Sequence, residues 1–174
     1  MPEAAVAVMD YALTSLGHDT TDILIVGKSI GSFSAVTLAA QPFAATIRGL
    51  VLISTVASAA QCVTDIKLFP AFVAQRLDGI ALANINMISK VQCPIFFVHG
   101  TLDKVVESSN SKDPFASILS DFPPLFVDTE HNDIESKFLH LFLSSLDEFI
   151  AFCAKKKSDN AESLLAQSPY TNFL

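Results

Sequence analysis

At 174 residues the chain has the length of one domain, long enough to bury most of the surface that its unfolded form exposes. A net charge of −7 argues against a nucleic-acid surface, which needs clustered Lys and Arg. The three cysteines, Cys62, Cys93 and Cys153, have no CxxC spacing; they read as reduced and mostly buried, and suggest neither a disulfide framework nor a zinc site.

The N-terminus carries Glu3 and Asp10 with no basic stretch ahead of an apolar one, so it does not read as a secretory signal, and the expected compartment is the cytoplasm. Pro2 suits the first turn of a helix whose apolar stripe runs through Val6, Met9, Leu13 and Leu16, and Gly17 can end it. Four short apolar runs follow: Ile23 to Val26, Leu50 to Ile53, Ile95 to Val98 and Leu125 to Val127. They are continuous rather than alternating, as in parallel strands covered on both faces. The longest nearly apolar stretch, Gly49 to Ala60, is broken by Ser54 and Thr55 and is shorter than the roughly 20 residues of a membrane span.

A helix is expected after the first run. Residues 55 to 90, with Pro70 and several aromatics, are too long for a plain crossover and predict one or two short helices, a cap over a site. Another short helix is expected between the third and fourth runs. Ile134, Phe138, Leu141, Phe142, Phe149, Ile150 and Cys153 keep a 3.6-residue period and predict a strong amphipathic helix. Lys155 to Lys157 read as a solvated helix end, and residues 155 to 174 as a weakly ordered polar tail with a docking segment at Leu164 and Leu165. The alternation predicts an α/β domain over residues 1 to 154, a parallel sheet flanked by helices with right-handed crossovers.

Between the first strand and its helix stands Gly27-Lys28-Ser29-Ile30-Gly31, a G-x-S-x-G pattern. In a nucleophile elbow the serine sits on a sharp, strained turn, and side chains two residues to either side would collide with neighbouring backbone; Gly27 and Gly31 meet that demand. The Ile30 N–H is then placed to donate to a developing oxyanion. A nucleophilic serine needs a base and the base an orienting acid. Of the four histidines, His18 lies in a loop before the elbow and His140 inside the last helix. His99 and His131 follow the carboxyl ends of strands, where sites in open α/β sheets collect. The order serine, acid, histidine favours Ser29, Asp103 and His131, and leaves His99 a structural role in the loop that presents Asp103. The bland alternatives are a turn serine, a turn-forming Asp103 and a helix-capping His131.

GKSIG, HGTLDKVV and HNDIE together resemble the α/β-hydrolase fold, and more narrowly the α/β-hydrolase domain-containing protein 17 family, which removes palmitate from membrane-anchored proteins. Serine aminopeptidase-like hydrolases share the scaffold. The resemblance runs from about Ile23 to Phe152, weakest in the middle. It implies Ser29 as nucleophile, Asp103 as acid, His131 as base and Ile30 N–H as one oxyanion donor, with no metal or organic cofactor. It also implies an acylated protein or small acyl ester as substrate and, through an N-terminal anchor, attachment to a membrane surface. Two departures stand out. Glu130 replaces the family's glycine before the histidine and sets a carboxylate beside the base. The family also has about four further strands, and a second oxyanion donor, ahead of the elbow. The chain is therefore expected to be a fragment, the C-terminal part of such a domain, with the Ser29 strand left as an unpaired sheet edge. The expected function is cleavage of an acyl ester or thioester by a serine hydrolase. The alternatives are a non-catalytic remnant or interaction module, a small-ester hydrolase and a serine peptidase.

Overall fold

The continuous apolar runs form β1 (Leu24–Lys28), β2 (Gly49–Ile53), β3 (Ile95–Gly100) and β4 (Leu125–Val127), as seen in a computed structural model that describes residues 2–57, 84–108 and 120–166. All neighbours are parallel, in the order β1-β2-β3-β4, with Lys28 opposite Ile53 and His99 opposite Phe126. Among the described residues β1 pairs only with β2, and Val26 on that edge is exposed.

Period-2 alternation sorts the strand side chains onto two cores. Ile25, Leu50, Leu52, Ile95 and Phe97 face α1 (Pro2–Thr14) and α2 (Ser32–Ala39). Val51, Ile53, Phe96 and Val98 face the opposite side, against Phe149 and Cys153. There the rings of Phe96, Phe122, Phe149 and Phe152 pack with neighbouring centroids 5.1 to 5.4 Å apart. Gly49 keeps this packing close, since a Cβ there would come within 2.8 Å of the Phe149 ring.

The remaining α-helices among the described residues are α3 (Asn84–Met87), α4 (Ile134–Lys137) and α5 (Leu139–Ala166). Several expectations need correction. The inward stripe of α1 runs through buried Met9 with Ala5 and Leu13 partly buried beside it, whereas Val6 and Leu16 are exposed. The last predicted helix is two, broken at Phe138, and Leu141 faces solvent. The helix also does not stop at Ala154 but continues to Ala166, so residues 155–166 are not a loose tail. KKKSDNAESLLA lacks Gly and Pro and is rich in good helix formers, so an established helix propagates through it cheaply despite its polarity. Residues 58–83 hold most of the predicted cap and 109–119 much of the predicted short helix; both lie outside the described residues, as do 167–174. No helix among the described residues is long and apolar enough to cross a membrane.

Candidate active site

β1 ends at Lys28 and the chain turns at once through a single 3-10 turn, Ser29–Gly31, into α2. Ser29 has φ 49, a left-handed conformation that L residues adopt only under local constraint. Gly27 allows the turn to be this tight: a Cβ there would stand 2.6 Å from Ala35 Cβ and 2.9 Å from Ser32 Cα, so α2 could not lie on β1. Gly31 does not serve the same end. Its backbone is ordinary right-handed helix, φ −64, and a Cβ would meet nothing within 4 Å, so the expected collision exists on one side of the serine only. Ile30, between them, is exposed.

The acid loop is built around Asp103. Its Oδ1 accepts the Val105 and Val106 backbone N–H groups, each at 2.8 Å, and Val106 is fixed in turn by packing with Phe33 and Val56. His99 is fully buried; its Nε2–H donates to the Val106 carbonyl at 2.9 Å and lies 3.4 Å from Asp103 Oδ2. Burial pushes the Asp103 carboxyl up, but hydrogen bonds from His99, the Val106 amide, His131 and the Val105 amide outweigh it and hold the group at about 2. An ionised carboxylate can only accept, which fixes the proton on the neighbouring histidine.

That histidine is His131. Its Nδ1–H donates to Asp103 Oδ2 at 2.6 Å, and its Nε2 lies 2.9 Å from Ser29 Oγ. With Nδ1 carrying the proton of the neutral ring, Nε2 has a lone pair for the Ser29 hydroxyl. The structure thus brings Ser29, His131 and Asp103 into one hydrogen-bonded line, although 102 residues separate the first two. His18 and His140 are exposed, in the loop after α1 and on α5. Glu130 is exposed too, and it does not need the glycine of the family pattern: among the described non-glycine residues only Ser29 and Ser54 have positive φ.

Other contributors carried no local signal. Gly100 closes β3 where the Thr129 backbone crosses it, and its missing Cβ lets the histidine loop approach the acid loop. Thr101 joins the same loops, donating its N–H to the Val127 carbonyl at 2.8 Å and its hydroxyl to Asp128 at 2.5 Å. Buried Asn84 donates to Ser32 Oγ at 2.9 Å and to the Val56 carbonyl at 2.7 Å, tying α3 to the start of α2. Lys28, just before Ser29, pairs with Glu135 at 2.7 Å. Around the site Ile30, Leu102 and Val105 expose apolar side chains. Among the described residues no group of three or more His, Cys, Asp or Glu converges to hold a metal ion.

No family model matches the sequence. Over 140 residues the chain is 31% identical to Alpha/beta hydrolase domain-containing protein 17B of Xenopus laevis, an alignment covering 79% of this chain and 44% of that protein. The chain therefore spans less than half the length of this relative. An alpha-beta hydrolase from Vibrio vulnificus superposes with a TM-score of 0.69 at 18% identity, over 83% of this chain and 55% of the other. The esterase Pf2001 of Pyrococcus furiosus superposes with a TM-score of 0.64 at 14% identity, over 86% and 60%.

Proposed function

We propose that this chain, which shares the α/β-hydrolase fold of the solved structures it superposes on, carries the catalytic residues of a serine hydrolase that cleaves acyl esters or thioesters, with protein S-acyl cysteine as the substrate class. The observation that carries this reading is the hydrogen-bonded line from Ser29 Oγ through His131 to Asp103. Ser29 Oγ attacks the acyl carbonyl while His131 Nε2 takes its proton, and the Ile30 N–H donates to the oxygen that becomes negative. The tetrahedral adduct collapses, the C–S or C–O bond to the leaving group breaks, and that group departs with the proton held by His131. Water, deprotonated by the same nitrogen, then cleaves the acyl-serine ester and regenerates the hydroxyl.

The narrower substrate class is supported by the resemblance to depalmitoylating hydrolases and by the exposed apolar Ile30, Leu102 and Val105 on the elbow and acid loop, which suit an acyl chain. A fluorophosphonate probe tests the nucleophile: the wild-type chain is expected to be labelled and Ser29→Ala not. Hydrolysis of matched long-chain thioester and short-chain ester substrates then tests the class, with the thioester expected to be preferred. Absence of labelling in a folded wild-type chain favours the non-catalytic alternative.

A further inference from the structure

Ser29 follows β1 and His131 follows β4, and among the described residues these strands are the two edges of the four-stranded sheet. Three interstrand spacings, roughly 14 Å, separate those edges, so strand pairing alone does not bring the two side chains together. The histidine loop has to reach back across the ends of β3 and β2. Gly100, Thr101 and Asp103 guide it over β3. Over β1, among the described residues, two side-chain hydrogen bonds join it to the elbow: the His131–Ser29 bond itself and the Lys28–Glu135 ion pair.

We propose that Lys28 and Glu135 are positioning residues, an ion-pair clamp that holds the histidine loop over the elbow and so sets the Ser29–His131 distance. The proposal rests on the reading of Ser29 as nucleophile. Lys28 is the residue before Ser29, and Glu135 is on α4, four residues after His131. Nζ and Oε1 are 2.7 Å apart across 107 residues of sequence, with 36% and 34% of the side chains exposed. Ile134, beside Glu135, is fully buried and anchors that segment to the core. Glu135 Oε2 is buried with no hydrogen-bond partner among the described residues, so Lys28 is the group that compensates this carboxylate. A pair this exposed contributes little to overall stability. Its effect falls on geometry, where a misplacement of about 1 Å costs up to 10²-fold in rate.

The test uses charge reversal in the 174-residue chain, with circular dichroism to verify folding. Lys28→Glu and Glu135→Lys are each expected to slow fluorophosphonate labelling at least tenfold, through kcat rather than KM where an ester is turned over. The double variant Lys28→Glu/Glu135→Lys is expected to recover to within about threefold of wild type. Glu135→Gln, which keeps an acceptor oxygen, serves as the milder single variant if a reversal does not fold. Single reversals that label within twofold of wild type, or a double variant no faster than the slower single, overturn the clamp. The His131 ring signals in NMR spectra, assigned with His131→Gln, report the same geometry without turnover. They are expected to shift in each single variant and return in the double; unchanged signals overturn the clamp. Labelling that persists in Ser29→Ala instead overturns the nucleophile reading, while the ring signals still decide the clamp.

Discussion

The Thr129 carbonyl lies against Gly100 so closely that a Cβ on Gly100 would collide with its oxygen and come within 3.1 Å of its carbon. The obstacle is backbone, which cannot swing aside as a side chain can, and it belongs to the loop that carries His131. Gly100→Ala therefore displaces the histidine loop. Overpacking of this kind costs roughly 1–3 kcal/mol, and a displacement of about 1 Å at His131 lowers the rate up to 10²-fold. Urea midpoints and probe-labelling rates, measured on the same preparations, check both effects.

Asp103 links the site to acid stability. Its carboxyl is held at about 2 against an ordinary value of 3.8. Because the folded value is depressed, the stabilisation is complete above pH 4 and is lost as pH falls through 2. At about 1.4 kcal/mol per unit the contribution is of order 2 kcal/mol. Asp103→Asn removes it, so the stability gap between wild type and variant is expected to be larger at pH 6 than at pH 2 by about that amount. The amide can also donate to His131 Nδ1, which puts the ring proton on Nε2 and takes away the acceptor for Ser29. A rate loss of about 10⁴-fold is the precedent for this wrong-tautomer effect. Denaturant curves at the two pH values, and hydrolysis at pH 7, test the pair of expectations.

What the sequence disclosed was what short stretches encode. The four strands follow from continuous apolar runs, and Ser29, Asp103 and His131 from their places just beyond strand ends. Features that depend on which distant segments meet left no local pattern. Lys28 and Glu135 look like ordinary surface charges until the fold sets them 2.7 Å apart. Gly100 looks like a strand terminator until Thr129 crosses it. Gly31 failed in the opposite way, for the motif suggested a collision that the space beside it does not contain. Polarity misled at the C-terminal end, because helix propagation in α5 follows propensity rather than hydropathy.

Two cysteines provide a check on the core. Burial pushes the Cys93 thiol up to about 12 and the Cys153 thiol up to about 11. Both are free and buried, so the reactive thiolate is scarce at pH 8. Iodoacetamide is expected to spare both in the folded chain and to modify both in urea, read peptide by peptide in a mass spectrometer. The raised values also stabilise the fold below pH 9, an effect that is lost as pH rises through 11 to 12.

Ser54 gives the sharpest stability prediction. It follows β2, whose last residue Ile53 is the register partner of Lys28, and its N–H donates to the Val98 carbonyl at 2.9 Å. Its φ is 46, its side chain is fully buried, and its hydroxyl has no hydrogen-bond partner among the described residues. Ser54→Ala removes a desolvated hydroxyl while keeping the backbone, and is expected to leave stability unchanged or raise it by about 1 kcal/mol. Ser54→Gly also relieves the left-handed strain, worth roughly 1–2 kcal/mol, against an entropic cost of about 0.5–1 kcal/mol. It is expected to match or exceed the alanine variant. Urea unfolding decides, and a loss above about 1 kcal/mol in both variants means that the hydroxyl has a partner. Labelling rates add the functional half. Two non-glycine residues with positive φ sit at the carboxyl ends of adjacent strands, one of them Ser29, and strain of this kind persists where a site depends on it. A variant that becomes more stable while labelling more slowly identifies the Ser54 backbone as part of what holds the elbow in shape.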